Sequence, residues 1–186
     1  MPKTIEGGAR LGALLGMLAL SVQVPAGAEQ MDAGQHAHGV GRLSVVAEGP
    51  DVAVELAIPV FSALGFERRP ETESERELLR LATENLNTGD GLVRFNTQAG
   101  CQLEASDVNT GFGMDAVPAS SEAHRDMFAS YRFVCARPDR LRSAAVGLFV
   151  GFPALERVHV EYVLQEGRGV AELARNRPVV SFVPLQ

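Results

Sequence analysis

Residues 36–69 read HAHGVGRLSVVAEGPDVAVELAIPVFSALGFERR, and two alternating runs inside this stretch decide the fold. Leu43, Val45 and Ala47 alternate with Ser44, Val46 and Glu48; Val52, Val54, Leu56 and Ile58 alternate with Ala53, Glu55 and Ala57. A side-chain period of two marks a half-buried strand. Gly49-Pro50-Asp51 between the runs is turn chemistry, so the pair reads as an antiparallel hairpin. His36 and His38 stand just before the first strand and Gly65-Phe66-Glu67-Arg68 follows the second. A hairpin returns its ends to the same side, which brings Glu67 back toward the histidines.

Downstream, Pro70 ends the extended segment, and Thr72-Glu73-Ser74-Glu75 fits a capping box. Leu78, Leu79, Leu81, Ala82 and Leu86 form an apolar stripe behind it, which predicts one amphipathic helix over residues 73–87, stopped by Thr88-Gly89-Asp90-Gly91. Short strands are expected at 92–95 and 101–105, a loop at 109–114, and a small polar loop at 118–124. Residues 128–135 read as a longer strand, and 144–152 as a buried run broken by Gly147 and Gly151. Val158, Val160, Tyr162 and Leu164 alternate with His159, Glu161 and Val163; Glu166-Gly167-Arg168-Gly169 then turns the chain toward a strand at 170–173. Residues 178–183 suit an edge strand, since the leading proline donates no ladder bond. Many strands against one main helix predict an α+β fold of mostly antiparallel sheet. Val54–Glu67 and Val146–Glu156 both set a strand before a bend, a weak internal likeness that would make two pseudo-symmetric halves.

Upstream, Lys3 and Arg10 precede an apolar run from Leu11 to Val24, and Ala26-Gly27-Ala28 follows as a cleavage pattern. This reads as a secretory signal peptide, residues 1–28, and not as a membrane anchor, because the run is shorter than the ~20 residues needed to span. Residues 29–35 read as a disordered polar lead-in and 36–186 as a single domain. Cleavage leaves 158 residues, enough for a real core, and losing two basic groups and one acidic group takes the formal charge from −6 to −7. No basic patch is visible, so nucleic acid and anionic lipid are poor partners. The chain has two cysteines, Cys101 and Cys135. In an oxidising compartment an even pair without C-x-x-C spacing reads as a structural disulfide; the alternative is two buried thiols.

The motifs of common hydrolases and nucleotide binders are absent: there is no H-E-x-x-H, G-x-S-x-G or G-x-x-x-x-G-K-[ST], and nothing proposes a nucleophile, so an enzyme is not expected. The polar chemistry lies in four histidines and their carboxylates. His36 and His38 alternate along an extended lead-in, so both imidazoles could reach one ion; the plain alternative is a solvated polar tail. His124 and Asp126 share a face if the following strand has begun, with Asp126 either a ligand or the group that orients an imidazole. Glu67 is a further carboxylate candidate; the plain alternative pairs it with Arg68 or Arg69 at the surface. His159 beside Glu161 reads as a surface residue. Imidazole and carboxylate suit zinc, copper, nickel and cobalt alike.

These pieces also carry a family resemblance. The His36-Ala37-His38-Gly39 start, the strand ending Glu48-Gly49, Val54-Glu55-Leu56 before Pro59, and Gly65-Phe66-Glu67 resemble the ZrgA-like periplasmic zinc-binding proteins. Ala99-Gly100-Cys101, residues 131–135, residues 148–153 and residues 158–163 agree in order and spacing, so the resemblance covers nearly all of the chain after Ala28. It implies an exported domain that binds zinc and serves zinc uptake, with an uptake transporter as a partner. Two departures stand out. Relatives often carry a long histidine-rich loop where only His124 remains here, and Arg68 stands where a histidine often follows the Gly-Phe-Glu segment. The competing reading is a secreted protein-interaction module whose metal site has degenerated.

Overall fold

Two sheets enclose the core. The computed structural model describes residues 39–112 and 125–182; the expected signal peptide (residues 1–28) and lead-in (residues 29–35) lie outside the described residues. The first strands, β1 (Val40–Glu48) and β2 (Asp51–Pro59), form the expected antiparallel hairpin, with Glu48 opposite Asp51. Gly49 takes φ +60°, the positive value a two-residue turn of this kind needs at its first central position. Leu43, Val45, Val52, Val54, Leu56 and Ile58 are buried, so the period of two gives the core face directly.

β2 runs straight into a short helix, α1 (Val60–Leu64), and the longer helix α2 (Glu73–Asn87) follows. α2 has the expected bounds because its capping box forms: the Glu75 N–H donates to Thr72 Oγ1 and the Thr72 N–H to Glu75 Oε2. Only part of its apolar stripe packs. Ala82 and Leu86 are buried, whereas Leu78 and Leu81 are each 48 % exposed.

The remaining strands are β3 (Val93–Phe95), β4 (Cys101–Asn109), β5 (Asp126–Cys135), β6 (Ser143–Val146), β7 (Arg157–Leu164), β8 (Gly167–Ala174) and β9 (Val179–Ser181), with a helical turn α3 (Leu148–Gly151) after β6. One sheet has the order β4-β5-β2-β1-β7-β8, and the other β3-β6-β9. Every pairing is antiparallel except β1 with β7, so the chain is an α+β fold dominated by antiparallel sheet. The inner face of the large sheet packs on the small sheet and the helices. Phe95 meets Phe133 edge-on at 5.1 Å, Tyr162 meets Phe182 at 5.1 Å, and the Tyr131 hydroxyl donates to the Leu86 carbonyl at 2.7 Å. Burial there pushes the Tyr131 hydroxyl well above its ordinary pKa.

Three local differences have clear causes. β8 begins at Gly167 and not at residue 170, because Gly169 sits opposite Tyr162 and a Cβ there would run into the Tyr162 ring and hydroxyl. Its glycines are strand residues selected for close approach. β4 extends to Asn109 with an irregularity between Leu103 and Ala105; as an exposed edge strand it carries no clean alternation to read. The run at 144–152 divides at Gly147, whose missing side chain lets it lie against the Gly91 carbonyl. The internal likeness holds locally, since β2 enters α1 and β6 leads to α3, but β2 and β6 belong to different sheets.

Candidate functional site

Cys101 and Cys135 face each other across β4 and β5 and are bonded. Asp126, one of the candidate metal residues, opens β5 at its opposite end. His36, His38 and His124 lie outside the described residues, but their chain neighbours are placed. Gly39, which follows His38, donates its N–H to Ser62 Oγ at 2.9 Å, and its carbonyl accepts from Glu156 and Arg157. Arg125, which follows His124, accepts the Val60 N–H at 2.7 Å. β1 and β5 are the two neighbours of β2, so Gly39 and Arg125 flank the point where β2 passes into α1. Two strand spacings separate them, ~10 Å.

Asp126 opens β5 opposite Pro59 and is 8 % exposed. Met127, Ala129 and Tyr131 face the core, so Asp126 belongs with half-exposed Phe128 on the outer face. Arg42, on β1, reaches over β2 and donates from Nη2 to Asp126 Oδ2 at 2.7 Å. Ser62 and Asp126 are the buried polar or charged side chains of the described residues apart from the two tyrosines, and both serve this end of the sheet. A buried polar group persists only where it has a partner; here one holds the β1 entry and the other answers a guanidinium.

The two sides of segment 113–124 are tied together. The Arg125 guanidinium donates to the Gly111 carbonyl at 3.2 Å and lies 6.0 Å from the Phe112 ring centre. Glu67 is half-buried in the loop after α1, which is closed by Gly65 in the left-handed conformation with its N–H on the Phe61 carbonyl at 2.8 Å. Arg68 goes to α2: its two Nη atoms meet Glu75 at 2.6 and 3.0 Å while its guanidinium carbon lies 5.4 Å from the Phe66 ring centre. That guanidinium, with the backbone N–H groups of Glu71 and Thr72, holds the Glu75 carboxyl down at about 2. Arg68, the residue after the Gly-Phe-Glu segment, is therefore committed to the helix.

The fourth histidine lies elsewhere. His159 is exposed on the outer face, opposite Glu172 with Nδ1 3.7 Å from a carboxylate oxygen. It shares a shallow groove of about 470 Å³ with Arg42, Ser44, Glu55, Ala57 and Phe128. Among the described residues no three of His, Cys, Asp and Glu are grouped to hold a metal ion. Glu67 and Asp126 alone do not fit zinc, which takes about four ligands. The sequence reading missed Arg42, whose only signal was an arginine on the polar face of a strand.

The chain matches the family model described as ZrgA family zinc uptake protein over residues 35–182, and it belongs to that family. No curated protein matches it.

Proposed function

We propose that this protein binds zinc in the periplasm and serves zinc uptake as a carrier or buffer, without catalysing a reaction. His38 and His124 hold the ion, with Glu67 or Asp126, and His36 completes the set. The observation that carries this reading is the position of Gly39 and Arg125, the chain neighbours of His38 and His124, on either side of the β2 exit. Glu67 follows the helix that starts at that exit. The proposal includes export, with cleavage after Ala28 and one domain over residues 36–186, and it takes an uptake transporter as the protein partner. Nucleic acid and membrane are not partners of the mature chain.

Calorimetry with zinc on the chelator-treated mature protein tests the reading. Zinc should bind and raise the melting temperature, since it stabilises only the assembled site. His38→Ala and His124→Ala should each remove most of the affinity, whereas His159→Ala should leave it intact. Ligand imidazoles must be neutral, so affinity should fall as pH drops through about 6.5. A full wild-type zinc shift in the His38/His124 double variant would remove the assignment. A wild type with no shift would favour the interaction-module reading, which draws on Arg68 being committed to Glu75 and on the lack of a three-ligand group among the described residues.

A further inference from the structure

We infer that β8 is a docking edge for a second copy of this chain, pairing antiparallel with its counterpart about a two-fold axis at Val170 and joining the two large sheets into one. The inference needs no metal and stands apart from the zinc reading. β8 is the last strand of the six-stranded sheet and has β7 as its one neighbour there. The Ala174 N–H donates to the Arg177 carbonyl and the Arg177 N–H to the Ala174 carbonyl, so the main chain of Ala174 turns away from β7. The register with β7 is unbroken from Gly167 to Ala174, and the alternation of an antiparallel ladder turns Glu172, Val170 and Arg168 the same way. Among the described residues no backbone group bonds the outward N–H and carbonyl groups of these three. An open row of this kind is a template for another strand.

The side chains choose the partner. Arg168, Val170 and Glu172 are exposed on the outer face, Val170 by 69 %, whereas Gly167, Gly169, Ala171 and Leu173 turn inward. A two-fold contact makes every pairing twice. In the register that sets Val170 opposite its own counterpart, Arg168 faces Glu172 of the second copy and Glu172 faces its Arg168. Opposite charges attract across a strand pair and like charges repel. The next register on one side sets Arg168 against Val170, and on the other Val170 against Glu172, so either forfeits both ion pairs. Glu172 also meets His159 of β7 at 3.7 Å, a loose contact that leaves room for a guanidinium on the open side. The opposite edge of the sheet offers no such match. β4 has an irregularity between Leu103 and Ala105, which blunts an edge, and its charged residues are Glu104 and Asp107, which would set acid against acid.

Sedimentation velocity on the purified protein in chelator, up to its highest soluble concentration, tests the pairing. Wild type should pass from monomer to dimer as concentration rises, and added salt should weaken the dimer. Arg168→Glu or Glu172→Arg sets like charges opposite each other at both symmetric places and should weaken association about tenfold. Mixing the two variants, or combining both changes in one chain, restores opposite charges and should recover the dimer. Val170→Pro removes an outward N–H without touching the β7 ladder, so it should stay folded and monomeric; if it unfolds, the charge variants still decide. A wild type that is monomeric at every concentration overturns the inference. So does a dimer that survives Val170→Pro, because it forms elsewhere. A dimer that the charge changes leave intact, or one weakened as much in the mixture as in the single variants, also overturns it, because its register is not the one stated.

Discussion

The two ends of β5 are held in different ways. At Cys135 the strand is bonded covalently to Cys101, and the Cys135 N–H donates to the Pro50 carbonyl at 2.8 Å, so that hairpin turn, edge strand and β5 close on one point. At Asp126, ~30 Å away along the strand, the fastening is electrostatic: Arg42 on Asp126, Arg125 on the Gly111 carbonyl and the Phe112 ring, and, in the segment after α1, Arg68 on Glu75. A disulfide ignores pH and salt, whereas ion pairs respond to both. The core is secured at the end that has no proposed chemistry. The end from which the histidine-bearing segments depart is held by contacts that other ions can compete for.

The largest expected effect breaks the covalent end. Cys135→Ser should cost roughly 3–4 kcal/mol of stability, the chain-entropy estimate for a 34-residue separation. Urea unfolding with and without reductant measures it, and reduced wild type should approach the variant. Zinc affinity, measured below the melting temperature, should change little because the bond lies at the far end of β5. If affinity fell in step with stability, the two ends would be one mechanical unit and the contrast would fail.

A smaller effect is expected where α2 begins, beside the electrostatic end. Thr72→Ala removes the acceptor of the Glu75 N–H, bonded at 3.2 Å, and should cost about 1 kcal/mol. The same unfolding assay reads it. An unchanged midpoint would show that the start of α2 is held by the contacts of the Glu75 carboxylate with Arg68 and the Glu71 and Thr72 N–H groups, without the Thr72 hydroxyl.

How legible each end was in the sequence follows from how local its causes are. The β1–β2 hairpin, the bounds of α2 and the alternation of β7 each depend on a few adjacent residues, and each appears where the residues put it. The disulfide needed only two cysteines and an oxidising compartment. Other features depend on distant neighbours. Gly167 and Gly169 carry turn chemistry, and only Tyr162 on the neighbouring strand makes Gly169 a strand residue. The parallel pairing of β1 with β7 joins segments more than a hundred residues apart, and no local pattern encodes it. The candidate site was legible as residue types, histidines with nearby carboxylates. The partner of Asp126 was not, because Arg42 lies 84 residues away and reads in sequence as one more polar-face residue. For the same reason the pairing of Arg68 with Glu75, seven residues on, was not legible.

The smallest effect, and the one specific to the electrostatic end, is its response to acid. Glu75 accepts from both Nη atoms of Arg68 and from the backbone N–H groups of Glu71 and Thr72, and its carboxyl is held at about 2. In the unfolded chain a glutamate titrates near about 4.3. The folded value is the lower one, so the unfolded state binds the proton more readily. The stabilisation is complete above the unfolded value and is lost as pH falls from about 4.3 toward 2. Arg68 and Glu75 stand at the surface, where water and salt screen the pair, so the effect ranks below the cap and far below the disulfide. Glu75→Gln keeps the shape of the capping side chain but carries no charge to titrate. Melting temperatures of wild type and Glu75→Gln from pH 6 to pH 2.5 should differ most at pH 6 and converge below pH 4. Added salt should narrow the gap at pH 6. A Cys135→Ser protein should show the wild-type acid slope on a lower baseline, since the bond it loses does not titrate. Parallel curves for wild type and Glu75→Gln would mean that Arg68 and the two backbone donors do not stabilise the charged carboxylate, and would leave Arg42 and Asp126 as the ion pair that carries the contrast.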